Sequence, residues 1–185
     1  MFYNKNTSKY KIIEKLIFRF MTDSNSVTIR KPTTTDGTNV HHLIQAIPEL
    51  DSNSIYCNLL QCSHFADTSI IATQGDEVVG FISGYQVPGH PNTLFVWQVA
   101  VSAEARGLGL AGRMLKQLLG REEHRAIQFV ETTITEPNTA SWALFESIAR
   151  HYNTKLERSV IFDRQDHFRD QHDSELLARI GPFAH

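Results

Sequence analysis

Residues 106–115, RGLGLAGRML, set Gly107, Gly109 and Gly112 at the start of a run in which Leu110, Met114, Leu115 and Leu118 recur at helical spacing. Close-set glycines at a helix start leave backbone N–H groups unpaired at the positive end of the helix dipole, an arrangement that suits a pyrophosphate. Two patterns fit the same letters. G-x-G-x-x-G is the dinucleotide fingerprint, while Arg106, Gly109 and Ala111 spell [QR]-x-x-G-x-[GA], an acyl-CoA pyrophosphate loop. A dinucleotide fold wants its glycines in a tight turn early in the chain, with an acid ending the next strand about 20 residues on. Glu131 lies inside FVETTI rather than at its end, the turn before the glycines is long, and too little chain follows to complete a doubly wound sheet. A Walker A loop is excluded because no Lys-Ser or Lys-Thr follows Gly112.

The elements that must hold this loop read as β-α-α-β-β-β-α-β-α-β, with a tail able to add one more strand. VTIRKP alternates and stops at Pro32, TTTD caps GTNVHHLIQAIPEL, and a second helix follows LDSNS, with Ile55, Leu59, Leu60 and Phe65 placed to pack on one side. SIIAT and VVGFISGYQ are β-rich runs joined by a turn, and TLFVWQVAV is apolar enough to be buried on both faces. After the glycine helix come the strand AIQFVETTI, a helix announced by Pro137 and Asn138, the strand TKLERSVIF, a charged stretch and SELLARIGPF.

The 185 residues form one domain over 27–185, preceded by an N-terminal extension over 1–26 that is frayed or helical. Its apolar stretch is broken by Glu14, Lys15 and Arg19 and is too short to span a bilayer. A net charge of -2 supplies no basic field, so neither nucleic acid nor a membrane surface is an expected partner. Cys57 and Cys62 form no metal or disulfide pattern and read as reduced thiols in a cytoplasmic protein. His167 and His172 sit among Asp163, Asp166, Asp170 and Asp173, a composition that fits a solvated turn as readily as a metal site, and no metal is expected.

An apolar strand, a short acidic turn and R-G-x-G-x-A opening a helix, as in WQVAVSAEARGLGLAGRML, resembles motif A of the Gcn5-related N-acetyltransferases (GNAT). EPNTASWALFESIA resembles their motif B. The resemblance implies an α/β (α+β) fold with a mixed, mostly antiparallel sheet flanked by helices and splayed strands at an acetyl-CoA site. It puts Gln98, Val99, Ala100 and Val101 on the strand that binds the pantetheine arm. Arg106, Gly107, Leu108, Gly109, Leu110, Ala111, Gly112 and Arg113 would hold the pyrophosphate, with Asn138 near the pantetheine. The family's thiolate-protonating Tyr is replaced by Phe145, which leaves Tyr152 as the candidate acid.

IRKPTTTDG, IPELDSNSIYCNLLQCSHF and HDSELLARIGPF go further and are similar to the diaminobutyrate acetyltransferases of ectoine synthesis, over residues 27–183. That likeness implies a homodimer acting on the γ-amine of L-2,4-diaminobutyrate. Asp51 would bind an ammonium group, although Asp before Ser-Asn is also an N-cap. Tyr56 supplies a hydroxyl and a wall, and Trp97 lines the pocket beside the thioester, although both also suit packing roles. Glu157 is the expected proton acceptor or amine ligand, and His172 closes the site or relays a proton. Transfer to another small amine, and a non-catalytic acyl-CoA sensor, remain alternatives.

Overall fold

The computed structural model describes residues 26–183, so the expected N-terminal extension lies, Ser26 apart, outside the described residues. The strands are β1 (Val27–Arg30), β2 (Ile70–Gln74), β3 (Glu77–Val87), β4 (His90–Val101), β5 (Phe129–Thr135), β6 (Lys155–Phe162) and β7 (Glu175–Gly181). The helices are α1 (Gly37–Gln45), α2 (Ile55–Gln61), α3 (Leu110–Leu119) and α4 (Thr139–His151). This is the expected order, with the tail adding β7.

The seven strands form one sheet in the order β1-β2-β3-β4-β5-β7-β6, antiparallel throughout except for the β4–β5 pair. β7 inserts between β5 and β6, so the strand that follows α4 lies at the sheet edge rather than beside β5. One face buries Met114, Leu115 and Leu118 of α3 and Phe145 and Ile148 of α4 against Leu94, Val96, Val130 and Ile180. The other carries Val40, Leu43 and Ile44 of α1 against Ile71, Phe81 and Ala100.

Local chemistry sets the helix ends. Asp36 accepts from the Thr33 N–H and hydroxyl and takes both guanidinium nitrogens of Arg30 at 2.7 and 2.8 Å, fixing the entry to α1. α1 stops at Gln45, short of Pro48, because the residue before a proline disfavours helix. α2 begins after Ser54, whose hydroxyl accepts from the Cys57 N–H at 3.1 Å. Ser54, rather than Asp51, is therefore the cap. α2 ends at Gln61, so Phe65 falls beyond it and is exposed, contrary to the packing that its spacing implied.

Candidate active site

β4 pairs with β5 only over Thr93–Phe95, opposite Phe129–Glu131, and beyond that point the two strands separate. The backbone of β4 from Val96 to Val101 keeps its bonds to β3 on one side and has no strand on the other. Such a splay leaves a row of polar groups that an extended amide-bearing ligand can pair with. The slot continues into a cavity of about 630 Å³ lined by Val99, Val101, Arg106, Ala111, Asn138 and Leu144 among others. Val99 and Val101 face this cavity, whereas Ala100 packs under α1.

The glycine loop stands at the far end of the slot. Gly107 (φ +75°) and Gly109 (φ +67°) hold left-handed backbone that side chains resist, and Gly109 is the residue from which α3 starts. Leu108 and Gly109 are exposed, and Leu110, Ala111 and Gly112 present the unpaired N–H groups of the helix start. Gly112 differs in kind. A Cβ there would meet only Leu144, at an ordinary 3.8 Å, so it is not the close-packing glycine that a dinucleotide fold requires. Arg106 donates from Nε to the Val101 carbonyl at 3.3 Å and pairs with Glu49 at 3.5 Å, and Arg113 is exposed on the first turn of α3. Asn138 caps α4 by accepting from the Ser141 N–H at 3.1 Å. A larger cavity of about 760 Å³, which shares Arg106 and Glu49 with the first, is lined in addition by Asp76, Glu77 and Glu104, a carboxylate set that repels phosphate.

Beside the mouth of the splay lies a second group of side chains. Between Ser83 and Gly84 the β3–β4 register slips, leaving Trp97 as the extra residue between Val96 and Gln98. That bulge explains why Trp97 is 49% exposed on a strand whose sequence reads as buried on both faces. Its ring meets Tyr85 edge-on at 6.4 Å, and Tyr85 stacks on Phe95 at 5.1 Å, forming an aromatic wall. Asp51 lies in the connection from α1 to α2, its backbone carbonyl accepting from Gln98 Nε2 at 3.0 Å. Glu175, the first residue of β7, pairs in register with Thr135 at the open end of β5. Burial raises the pKa of its carboxyl. His172 and the Thr133 hydroxyl oppose that shift, while the charge of Asp51 adds to it. Asp51 and His172 thus each lie within electrostatic reach of Glu175.

His172 Nδ1 donates to the Asp173 carbonyl at 2.7 Å, which leaves Nε2 free to accept, and its ring lies 4.8 Å from that of Phe168. His167 instead uses Nδ1 to accept from the Asp163 N–H at 2.9 Å. Among the described residues, no three His, Cys, Asp or Glu side chains gather as a metal site would need.

Two sequence candidates stand elsewhere. Glu157 on β6 is exposed and lies opposite Arg179, which is bonded in turn to Glu131 at the closed end of the splay. Arg179 and Glu175 are four residues apart on β7, roughly 13 Å along the strand. Glu157 thus lies toward the closed end of the splay, and the acid at the mouth is Glu175, which the sequence reading did not single out. Tyr152 ends α4 at the opposite pole from Asn138, roughly 20 Å along a 13-residue helix, and packs on Phe183 at 4.8 Å. It does not reach the slot. Tyr56, on the first turn of α2, is 67% exposed.

A splayed β4, a glycine-led α3 and a capped α4 framing one slot match a known arrangement: the family described as the acetyltransferase (GNAT) family matches residues 38–149. The chain belongs to the GNAT family. It is 54% identical over 157 residues to an L-2,4-diaminobutyric acid acetyltransferase from Methylotuvimicrobium alcaliphilum, covering 85% of this chain and 91% of that one. A Vibrio parahaemolyticus protein of the same name is 49% identical over 151 residues, covering 82% and 83%. Among solved structures, a diaminobutyrate acetyltransferase from Paenibacillus lautus, in complex with its substrate L-2,4-diaminobutyric acid and coenzyme A, superposes with a TM-score of 0.82 at 39% identity. That match covers 87% of this chain and 98% of that one. GNAT proteins use acetyl-CoA as co-substrate, and the slot, the left-handed glycines and the open start of α3 fit its pantetheine and pyrophosphate.

Proposed function

We propose that this GNAT protein transfers the acetyl group of acetyl-CoA to the γ-amine of L-2,4-diaminobutyrate, giving N4-acetyl-L-2,4-diaminobutyrate and CoA, as a step in ectoine synthesis. The observation that carries this reading is the open end of the splay, where Glu175 opens β7 opposite Thr135, the Asp51 backbone is bonded to Gln98 of β4, and the β4 bulge presents Trp97. The names of the similar proteins and the substrate held by the Paenibacillus lautus structure support it.

When bound, acetyl-CoA supplies an acetyl thioester open to direct attack by a neutral amine, with the CoA thiolate leaving. The chain's own residues do the rest. The β4 backbone beyond Val96 holds the pantetheine amides, and an N–H of that stretch donates to the thioester carbonyl, a contribution of about 3 kcal/mol to the barrier. A γ-amine with pKa ~10.4 arrives protonated. Glu175 takes that proton, its raised pKa bringing it nearer the operating pH than an ordinary carboxylate. Asp51 holds the amine through its charge, Trp97 forms the wall, and His172 stands over the group at the end of the charged loop before β7.

We place the reaction in the cytoplasm, where both thiols stay free, as Cys57 and Cys62 are here. No helix among the described residues is long and apolar enough to cross a membrane. The working unit is a homodimer in this reading. β6 is an edge strand exposing Val160, Ile161 and Phe162 in succession, a surface that a second copy would cover. Sedimentation velocity at micromolar concentration should give twice the chain mass, and a monomer there refutes the dimer.

The activity is tested by CoA release with diaminobutyrate, ornithine, lysine and spermidine, with NMR locating the acetyl group. Diaminobutyrate should be preferred at least tenfold in kcat/KM and acetylated on its γ-nitrogen. Equal rates on ornithine would overturn the substrate, and no turnover with any amine would leave an acyl-CoA sensor.

A further inference from the structure

The side chain of Gln98 does not enter the pantetheine slot. It turns to the connection between α1 and α2, donating from Nε2 to the Asp51 carbonyl at 3.0 Å and accepting from Asn53 Nδ2 at 3.4 Å. These two bonds tie the segment holding Asp51 to the strand that binds the thioester. The segment's earlier attachment is apolar: Leu50 packs against the core under α1, and its N–H donates to the Ile47 carbonyl at 3.1 Å. From there to Ser54, where α2 begins, the chain has no regular structure.

The bulge at Trp97 sets this up. Because the extra residue shifts the register, Gln98 pairs with Ser83 and comes up beside the α1–α2 connection, while Trp97 is presented at the mouth of the splay. One irregularity in β4 therefore fixes both the wall of the acceptor site and the distance from Asp51 to the thioester strand.

We infer that Gln98 is a positioning residue that sets acceptor length: by clasping the Asp51 carbonyl it holds the Asp51 carboxylate at a fixed reach from β4, matched to a short diamine. This rests on the reading that Asp51 binds the acceptor amine. Releasing the clasp lets the Asp51 segment move away from β4. The shorter acceptor then loses its alignment, while one with an extra methylene is accommodated. A single methylene is worth roughly 10- to 200-fold in a well-formed pocket, so that discrimination is what the clasp protects.

The test uses Gln98→Met, which keeps the volume and removes both bonds, and Gln98→Glu, which accepts from Asn53 but cannot donate to the Asp51 carbonyl. For both variants, kcat/KM for diaminobutyrate should fall by about tenfold, ornithine should change by less than about twofold, and acetyl-CoA Kd should stay within about twofold of the parent. A purely space-filling Gln98 would give Met and Glu variants with the parent's diaminobutyrate-to-ornithine ratio, and that result overturns the clasp. So does a loss confined to acetyl-CoA binding. The parent protein is the control for the underlying reading: if it shows no preference for diaminobutyrate, the proposed function fails, whereas a preference that both variants retain fails the clasp alone. Melting temperatures of the two variants separate loss of fold from loss of selectivity.

Discussion

Replacing Glu175 by Gln removes a carboxylate at the mouth of the splay whose pKa burial has raised, and its consequences are calculable. At pH 7 an amine of pKa ~10.4 is neutral in only about one part in 2,500. With Glu175 ionised, the bound ammonium can hand over its proton, so kcat/KM should be flat from above the Glu175 pKa to the amine pKa. The acid limb falls as pH drops through that pKa, because the carboxylate must be ionised to accept, and burial should move the limb upward from that of an exposed Glu. Without Glu175 only neutral amine reacts. The variant should lose about 10³-fold at pH 7, within the usual range for a general base, and regain about tenfold per pH unit up to pH 9. Stability does not confound the measurement. A carboxyl whose folded pKa is raised makes the folded state less stable as pH climbs through its ordinary value, so Gln at this position should leave melting at pH 7 unchanged or higher. CoA release across pH 4–9 reads all of this. A Glu175→Gln protein with a flat profile and near-parent kcat/KM would refute the assignment, and Glu157→Gln, altering an acid at the closed end, should keep the parent profile.

Three further outcomes follow from the geometry. The Asp36 carboxyl, bonded to Arg30 and buried, is held down at about 2, so its contribution of about 2 kcal/mol is present above the ordinary Asp value and lost as pH falls toward 2; Asp36→Asn should show that loss in urea unfolding at pH 7. Gly109→Val forces a side chain onto φ +67°, which should cost about 1–2 kcal/mol of stability and weaken acetyl-CoA binding by calorimetry while leaving diaminobutyrate selectivity intact. Tyr152→Phe, at the pole of α4 remote from the slot, should keep kcat within about twofold, where loss of a working proton donor would cost about 10²-fold or more.

The order of elements was legible because each carries its own period: alternation in VTIR, helical spacing from Leu110 to Leu118, and turn residues between them. The pyrophosphate loop was legible for the same local reason, since Arg106, the two left-handed glycines and the helix start are contiguous. The acceptor site was not, because it depends on which strand neighbours which. Chain order sets β6 after β5 and makes Glu157 the natural acid, but β7 inserts between them and brings Glu175 to the open end. Nothing in HDSELLARI marks that crossover, although a Glu opening a strand after a His-bearing loop was the available signal. Tyr152 was decidable earlier, since the helical rise of about 1.5 Å per residue already separates it from Asn138. The bulge at Trp97 was invisible for a third reason: an extra residue in a ladder shows only when both strands are paired.

The most direct test of the acceptor site is a crystal structure of this protein with CoA and L-2,4-diaminobutyrate. The γ-nitrogen should lie within hydrogen-bond distance of both the Asp51 and the Glu175 carboxylates, against the face of Trp97 and toward the unpaired stretch of β4. A γ-nitrogen bound instead beside Glu157 and Arg179, at the closed end of the splay, would contradict the account.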